Sequence, residues 1–384
     1  MRSKMDPRYY LSEEAFLREQ ALLYERVWQF LALKPLVSRH NAFVTRRLCG
    51  IPIVVQNFHG EIHAFENVCL HRQAALQWDS EGRRPLVCRY HGWGYNARGE
   101  AENIPFCEDV YRFPEARRRE LRLREYPLAI VGNLIFVNLA PDPIPIGEQF
   151  TAEFIESLRS SSEAYDDEVM LTTFHARFNW KLAYENLRDA NHPRFVHSQS
   201  LAKAVTFAPA VDDALSAEAK TAATSNAPLG RDAAMALMRR FSWGGPDSRL
   251  HESPRYEWHR HVERWGNEDW YYNWLAFPNL HIASATAGFS FIVEHHVPVA
   301  PGRTDLLVHW VTAKKKTRYA WSPAVLYSHM LGARIVLAED IKVMEMVQSA
   351  LHPRAPTPTA GDYEAMNMLV ERWYLELMGG SFAI

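Results

Sequence analysis

The sequence has little cysteine, little net charge and no long apolar run, and each shortage argues against a class of protein. Only 4 of the 384 residues are cysteine, which is too few for a scaffold built on disulfides. A net charge of −2 provides no basic field for nucleic acid or an anionic membrane. The longest apolar stretch, 128–140, is shorter than the roughly 20 residues that span a bilayer. The N-terminus shows no apolar signal region, so we expect a cytoplasmic protein with no nucleic-acid or membrane partner.

Hydrophobic patterning divides the chain into three parts. Residues 1–27 have helical periodicity, with Ser12 as a candidate N-cap. Residues 28–145 consist of short β-type runs separated by turns, which predicts an all-β domain. A proline-rich stretch around 140–150 marks the boundary. Residues 146–384 mix helices and strands, so the predicted fold class is α+β.

Within the third part the pattern predicts one antiparallel sheet and several helices. Three aromatic-rich strands are expected at 270–284, 289–299 and 304–316, and a helix is expected at 181–192. A long helix is expected from Trp321 to His352. Residues 204–252, rich in Ala, Ser, Asp and Gly, are expected to form an irregular insertion with weak helices.

Two of the few cysteines each precede a histidine at short spacing. The motifs are Cys69-x-His71 and Cys88-x2-His91. Thiolate and imidazole bind zinc and iron–sulfur clusters. Structural zinc knuckles usually pair like with like, whereas here each loop supplies one sulfur and one nitrogen. That arrangement favours a Rieske [2Fe–2S] cluster, in which one iron takes two cysteines and the other two histidines. Zinc and chance occurrence remain as alternatives.

A second group of metal-binding residue types follows the boundary. Asp189 and His192 are three residues apart, which places them on one face of a helix. His197 lies five residues beyond His192, off that face, but Pro193 should end or kink the helix at His192 and let the chain turn back. Two histidines need one carboxylate to complete the facial triad of non-haem Fe(II) oxygenases. Two polar side chains near a helix end are the alternative.

The missing carboxylate is expected in the long late helix. Glu339 and Asp340 are adjacent there, and spacing alone does not choose between them. An electron-delivering cluster in the same chain needs an oxidising partner, which favours a mononuclear iron over a purely structural role for the histidines.

The combined motifs resemble those of the large (α) subunit of Rieske non-haem iron oxygenases, the aromatic-ring-hydroxylating type. The resemblance covers nearly the whole length. It rests on the two Cys/His motifs, Asn179-Trp180-Lys181, Glu185-Asn186-x2-Asp189-x2-His192-x4-His197 and Glu339-Asp340. It implies an N-terminal helical segment (1–27) packing on the catalytic domain, an all-β Rieske domain (28–145), and a helix-grip catalytic domain with an antiparallel sheet (146–384).

The resemblance also implies roles for individual residues. Cys69, His71, Cys88 and His91 would hold the [2Fe–2S] cluster, and His192, His197 and Asp340 the mononuclear Fe(II). Asp340 is preferred over Glu339 because the aspartate of the family is followed five residues later by a glutamate, here Glu345. Asn186 and Asp189 would be catalytic, with Asp189 bridging the two centres between neighbouring subunits by meeting His91. Leu70, Gln73 and Arg89 depart from the residues common in the family, and none of them is a ligand.

The resemblance further implies partners and a reaction class. The partners would be O2, a small organic substrate and a flavin-containing NAD(P)H reductase, perhaps with a ferredoxin, and the assembly would be a homotrimer. The reaction would be mono- or dihydroxylation, or oxidative demethylation, of an aromatic substrate, as in aromatic hydrocarbon catabolism. Alternatives are oxygenation of a quaternary or methylated amine and a non-enzymatic Rieske electron carrier. Phe195, Val196, Leu201, Tyr272, Trp274, Phe277 and Asn279 are plausible pocket walls, although aromatic stripes are more often core.

Overall fold

The computed structural model of the chain describes residues 2–189, 191–206, 213–225, 230–251, 256–317 and 320–379. They form two compact units, one made of 1–24 with 144–384 and the other of 25–143. Among the helices that the structure describes, none combines the length and the hydropathy that crossing a membrane requires.

The N-terminal segment is helical but broken. It contains α1 (Arg8–Leu11) and α2 (Glu13–Glu19), followed by one π-helical turn (Gln20–Tyr24). Ser12 caps α2 as predicted, because its side chain accepts a hydrogen bond from the backbone N–H of Ala15.

The unit 25–143 is built almost entirely from short strands. A five-stranded sheet has the order β5-β2-β3-β4-β8, a three-stranded sheet has the order β1-β10-β9, and β6 pairs with β7. One short helix, α3 (Glu115–Glu120), precedes β8. The strands are β1 (Gln29–Leu33), β2 (Ala42–Leu48), β3 (Ile51–Phe58), β4 (Glu61–Glu66), β5 (Glu81–Arg83), β6 (Gly94–Tyr95), β7 (Ala101–Asn103), β8 (Glu125–Tyr126), β9 (Leu128–Val131) and β10 (Leu134–Val137).

Alternation along the central strands of this unit produces two cores. Val44, Ile53 and Val55 point to one face and pack with the three-stranded sheet. Phe43 and Val54 point to the opposite face and pack against the loops that carry the cysteines. The five-stranded sheet therefore forms the rigid base of the Cys/His loops.

The unit 144–384 contains an antiparallel sheet and most of the helices. The sheet has seven strands in the order β11-β17-β16-β15-β14-β13-β12. Its strands are β11 (Tyr165–Ala176), β12 (Val205–Thr206), β13 (Trp243–Leu250), β14 (Trp270–Ala276), β15 (Leu280–Ser284), β16 (Ser290–Ala300) and β17 (Arg303–Ala313). The helices are α4 (Ile146–Gln149), α5 (Ala152–Glu163), α6 (Trp180–Leu187), α7 (His192–Val196), α8 (Asp213–Thr224), α9 (Arg231–Met238), α10 (Ser322–Ala350) and α11 (Ala365–Leu377).

The α+β class and the antiparallel sheet are confirmed, with two corrections. The single strand predicted at 270–284 is two strands, β14 and β15, which pair with each other across a turn at Phe277–Asn279. The predicted irregular insertion at 204–252 lies partly outside the described residues, but its last part is β13, a sheet strand paired with β14. Glycine and proline within β13 hid its strand pattern.

The N-terminal segment contacts α6 within its own unit. The Tyr10 hydroxyl donates to Glu185 (2.5 Å), and the Trp180 indole N–H donates to the buried carboxylate of Glu19 (2.7 Å). Asn179 caps the start of α6 by accepting from the N–H of Lys181 (3.0 Å). These bonds fix the helix from which the second group of candidate ligands extends.

Candidate metal centres

The two Cys/His loops of the 25–143 unit share one backbone pattern. In each loop the cysteine N–H donates to the carbonyl five residues later, and the N–H four residues later donates back to the cysteine carbonyl. The bonds are Cys69 N–H to Ala74 (2.8 Å), Gln73 N–H to Cys69 (2.9 Å), Cys88 N–H to Trp93 (2.8 Å) and Gly92 N–H to Cys88 (2.9 Å). Two loops with the same backbone pattern therefore each carry one cysteine and one histidine.

The matching turns require a left-handed residue four positions after each cysteine. Gly92 has φ 74° and Gln73 has φ 57°. Glycine adopts this conformation freely, whereas a residue with a Cβ adopts it at a cost of roughly 1–2 kcal/mol. The departure from the family at Gln73 therefore changes the strain of the loop and leaves its path intact.

The four side chains suit a Rieske cluster. Cys69 and Cys88 are both 1% exposed and unbridged, and they pack in the core beneath the loops. His71 and His91 are only partly buried, and their rings lie 4.4 Å apart between centroids. The His71 ring stacks on Trp93, with 5.0 Å between centroids. Sulfur ligands on the inside and nitrogen ligands toward the surface match a cluster with two chemically distinct irons.

Tyr95 adds a contact that the sequence did not predict. Its hydroxyl lies 3.3 Å from the Cys69 sulfur and accepts from the N–H of Leu70 at 3.1 Å. Because the bond from the Leu70 N–H uses a lone pair of the Tyr95 hydroxyl oxygen, the hydroxyl proton remains available to donate to the Cys69 sulfur. Hydrogen bonds to cluster sulfurs are one of the protein's means of setting the reduction potential. Spacing gave no signal for this role, because the contact depends on β6 folding back over the first loop.

The second group of ligands sits at a helix break, and here the sequence-based prediction was wrong. The helix predicted over 181–192 ends at Leu187, and a new helix, α7, starts at His192. Pro193 lies in the first turn of α7, where a backbone N–H would have no partner within the helix, so the N–H that proline lacks is not needed there. The proline therefore helps to start α7 and does not end a helix. His197 follows α7 directly as its C-cap. The two histidines thus stand at the two ends of one short helix, and their side chains converge.

The structure brings His192, His197 and Asp340 together. Oδ1 of Asp340 lies 3.4 Å from Nε2 of His192 and 3.1 Å from Nε2 of His197. The three possible ligand atoms lie within 4.8 Å of one another. Two imidazole nitrogens and one carboxylate oxygen at this spacing fit the facial triad of a non-haem iron.

The other ring nitrogen of each histidine already has an oxygen partner. Nδ1 of His192 lies 2.7 Å from the backbone carbonyl of Asp189, and Nδ1 of His197 lies 2.8 Å from the Glu339 carboxylate. These bonds place a proton on Nδ1, so that Nε2 is the metal-binding atom in both rings. Glu339 is therefore the outer partner of a histidine, and Asp340 faces the metal position.

Electrostatics keep the Asp340 carboxyl ionised. Burial alone would raise its pKa, but the hydrogen bonds and charges of His192 and His197 hold that pKa well below its usual range. The side-chain N–H of Asn186 also donates to Oδ1 of Asp340 (3.0 Å). A deprotonated carboxylate is the form that binds metal.

Asp189 and Glu345 lie near these residues but outside the triad. The Asp189 carboxylate accepts from the N–H of Asn191 (2.8 Å), and its backbone carbonyl, not its side chain, orients His192. Glu345 pairs with Arg177 at 3.0 Å. Glu345 thus served as a sequence marker for Asp340 and has a separate structural role.

A cavity of about 1430 Å³ opens onto the triad. Its walls include Asn186, Asp189, His192, His197 and Asp340, together with one face of the sheet and part of α10. A volume of this order is ample for a small organic molecule.

Most of the plausible pocket walls belong to the core, which is the interpretation that the sequence favoured for the aromatic stripe. Leu201 lines the cavity, but in β14 the lining residues are Tyr271 and Asn273, not Tyr272 and Trp274. Neighbouring strand residues point to opposite faces of a sheet, so Tyr272 and Trp274 lie on the face that does not line the cavity. Of the remaining candidates, Phe277 and Asn279 are buried outside the cavity lining, and Phe195 is 78% exposed.

Comparison with protein-family models gives two matches. Residues 27–114 match the Rieske [2Fe–2S] domain, and residues 159–380 match the catalytic domain of the ring-hydroxylating α subunit. The second match alone spans more than half of the chain. The chain belongs to the ring-hydroxylating α-subunit family. Its cofactors are accordingly a Rieske [2Fe–2S] cluster and a mononuclear iron, and the Cys/His loops and the triad fit them.

Curated relatives of this α subunit act on two kinds of molecule. The glycine betaine monooxygenase oxygenase subunit of Pseudomonas aeruginosa is 27% identical over 199 residues, covering 50% of this chain and 44% of the relative. The large oxygenase component of a naphthalene 1,2-dioxygenase system from Pseudomonas putida is 30% identical over 196 residues, covering 49% and 43%. These matches span less than half the length of each relative.

Solved structures share the fold over nearly the whole α subunit. The quaternary ammonium Rieske monooxygenase CntA in complex with L-carnitine has a TM-score of 0.68 at 16% identity and covers 97% of this chain and 96% of that one. Naphthalene 1,2-dioxygenase from Rhodococcus bound to indole has a TM-score of 0.67 at 16% identity, covering 98% and 95%.

Proposed function

We propose that the protein is the oxygenase component of a multicomponent system that oxidises a small organic substrate with O2. The observation that carries the proposal is the convergence of His192, His197 and Asp340 on the wall of the cavity, in a chain that also carries the Cys69/His71 and Cys88/His91 loops. A mononuclear Fe(II) held by that triad would supply O2 binding and activation. An electron carrier that acted through its cluster alone would have no need of the triad or the cavity.

The protein's own groups have definite roles in this proposal. His192 and His197 present Nε2, and Asp340 supplies the negative charge. Asn186 fixes the Asp340 carboxylate, and the outer partners fix the two rings. Three ligands from one side leave the cavity side of the site open to substrate and O2.

We further propose that electrons come from an NAD(P)H-dependent flavin reductase, directly or through a ferredoxin, and that copies of the chain form a homotrimer. His91, partly exposed beside the exposed Tyr90, would be the exit from the cluster toward Asp189 of a neighbouring copy. Inter-subunit electron transfer is described for a quaternary ammonium Rieske monooxygenase of similar fold. Sedimentation of the purified protein tests the trimer.

Metal analysis with EPR spectroscopy tests the oxygenase proposal. We expect about three irons per chain, two in a cluster with a Rieske-type signal and one mononuclear. Zinc in place of iron, or a cluster without mononuclear iron, would contradict it, and the second outcome would support an electron carrier.

Two substrate classes follow from the relatives. Aromatic compounds are one, because naphthalene dioxygenase components are similar in sequence and fold. Quaternary or methylated amines are the other, because the glycine betaine and carnitine enzymes are similar to the same degree. Substrate-dependent O2 uptake with a reductase, measured for aromatic acids and methylated amines, distinguishes them.

A further inference from the structure

One wall of the cavity carries arginines that the metal site does not use. Arg188, Arg239 and Arg240 all line the cavity and are partly buried. Arg188 follows α6 directly as its C-cap, and Arg239 begins a 3-10 turn, Arg239–Phe241. Neither Arg188 nor Arg239 forms an ion pair with a carboxylate in the described part of the chain. Withdrawing a cation from water costs free energy unless a partner compensates it, so these two arginines require an explanation.

The Arg188 guanidinium is held in place from one side. Its Nη1 donates to the backbone carbonyl of Phe241 (2.9 Å) and to the Tyr184 hydroxyl (3.3 Å). That hydroxyl in turn donates to the same Phe241 carbonyl (2.8 Å). The guanidinium also lies 5.7 Å from the centre of the Tyr184 ring. A cation that is already fixed loses little freedom when a ligand arrives, which favours binding.

The opposite edge of the same guanidinium is unused. Nε and Nη2 of Arg188 form no hydrogen bond with any residue that the structure describes, and neither atom is sealed from solvent. The N–H groups on this edge are parallel and match the two oxygens of a carboxylate. Arg239 is anchored in a similar way, because its Nε donates to the backbone carbonyl of Glu148 (3.1 Å) and its two terminal nitrogens are not used in that bond.

Two sides of the cavity differ in charge. Burial raises the pKa of the Tyr271 hydroxyl on the sheet, and the negative charges of Asp247 and Glu294 raise it further. Burial also raises the pKa of Tyr184, but there the positive charge of Arg188 opposes the rise. The carboxylate of a ligand is therefore repelled by the sheet side of the cavity and attracted to Arg188.

Arg188 and the triad are connected through one helix. Asn186, near the end of α6, donates to Asp340 (3.0 Å), and Arg188 follows two residues later. Residues two apart on a helix point about 200° apart around its axis. Arg188 therefore points away from Asp340 and toward the turn that holds Phe241, although both line the same cavity. A molecule bound at Arg188 by its carboxylate presents its other end to the triad.

We propose that Arg188, supported by Arg239, forms a recognition subsite for a carboxylate group of the substrate. The inference rests on the proposed function, since it defines the substrate class of the same cavity. It predicts that the substrate is an organic acid that is oxidised at a position away from its carboxylate. An amide of the same shape should bind more weakly, because its NH2 group would meet an N–H of Arg188.

Calorimetric binding to the holoenzyme tests the subsite with two matched pairs of probes, benzoate with benzamide and 3-phenylpropanoate with 3-phenylpropanamide. We expect at least one acid to bind about tenfold or more tightly than its amide, which is the scale of a buried hydrogen bond to a charged group. Arginine stays protonated and both acids stay ionised between about pH 6.5 and 8.5, so the preference should not change over that range. Equal or tighter binding of both amides, no binding of either acid, or a preference that disappears with rising pH would each overturn the proposal.

Variants of Arg188 connect the preference to this side chain. Arg188→Met removes the charge, and the Phe241 carbonyl keeps its bond from Tyr184, so we expect a folded protein in which the preference is about threefold or less. Arg188→Lys keeps the charge without the paired N–H groups and should show an intermediate preference. Full preference in a folded Arg188→Met protein, which is the result if the carboxylate binds the iron, overturns the assignment. If thermal melting shows that Arg188→Met does not fold, full preference in Arg188→Lys overturns it.

Arg159→Met is the matched control for loss of one positive charge. Arg159 pairs with Glu156 and Glu163 on the exposed surface of α5 and does not line the cavity. The preference for the acid should therefore equal that of the wild type. An equal loss of preference in Arg159→Met and Arg188→Met would show that net charge, and not a subsite, causes the effect, and would overturn the proposal.

Binding and turnover separate this inference from the proposed function. If the acids bind through Arg188 but no compound stimulates reductase-coupled O2 uptake, the subsite stands and the oxygenase proposal fails. If O2 uptake is the same with acids and amides and is unchanged in Arg188→Met, the subsite fails and the oxygenase proposal stands.

Discussion

Glu339 and Asp340 are adjacent carboxylates with different roles, and replacing each with its amide should separate them. Asp340→Asn removes the only carboxylate of the triad and should cause loss of the mononuclear iron during purification. Glu339→Gln leaves all three ligands but replaces the charged acceptor of the 2.8 Å bond from His197. A hydrogen bond to a charged group contributes about 1.5–3 kcal/mol, and partners of this kind change metal affinity by about 10- to 100-fold.

The assay is competition between the protein and a chelator for the mononuclear metal, with Co(II) as an air-stable probe. Ser200→Ala is the matched control, because the Ser200 hydroxyl donates to the same Glu339 oxygen at 2.5 Å and reaches the ligand residue His197 only at its backbone carbonyl (3.4 Å). We expect affinity to decrease in the order wild type, Ser200→Ala, Glu339→Gln, Asp340→Asn. Wild-type affinity in Asp340→Asn together with metal loss in Glu339→Gln would reverse the ligand assignment and refute the reasoning.

Three other predictions follow from the two centres and from α6. Tyr95→Phe removes a hydrogen bond of about 1 kcal/mol to the Cys69 sulfur, and this bond favours the reduced cluster because reduction makes the cluster more negative. The reduction potential should therefore fall by about 40 mV, measured by EPR-monitored titration. An unchanged potential would contradict the Cys69 contact. Asp189→Asn should retain both metals and lose most turnover, and full activity would exclude the bridging role. Burial, partly offset by the Tyr10 bond, raises the pKa of Glu185 from 4.5 to about 7. The native protein then keeps a proton that the unfolded chain releases, so the free energy of unfolding falls as pH rises through this window. In Glu185→Gln, the decrease in the free energy of unfolding between about pH 5 and 8 should be smaller than in the wild type by up to roughly 3 kcal/mol, measured by thermal melts. An identical pH profile in the two proteins would argue against the raised pKa of Glu185.

The sequence predicted most where ligand chemistry is local. Each Cys/His pair lies in one loop, so its spacing reports the site directly, and the two loops fold alike. Spacing alone could not separate Glu339 from Asp340, because neighbouring residues on a helix differ by rotation and packing decides which one faces inward; only the family resemblance, through Glu345, favoured Asp340. The structure shows the difference through the ring nitrogens: Nδ1 of His197 meets Glu339 and Nε2 meets Asp340.

The pocket walls were harder to predict, because the strand register decides which alternate residues of a strand face the cavity. Both faces of β14 carry aromatic or polar residues that would suit a pocket, so no local feature of the sequence identifies the face that lines the cavity. Register became visible only through pairing, in which Asn273 stands opposite Ala283, another cavity residue.

The break between α6 and α7 explains why Asp189→Asn is a sharper test than Asp189→Ala. Asp189 satisfies two groups at the break: its backbone carbonyl accepts from His192, and its side-chain oxygen accepts from the N–H of Asn191. Alanine would leave that N–H without its acceptor and could displace His192, so lost activity would report a disturbed ligand. Asparagine keeps an oxygen at the same position and removes only the charge. A turnover defect with an unchanged affinity for the mononuclear metal therefore isolates the carboxylate itself, which is the group the proposed bridge requires.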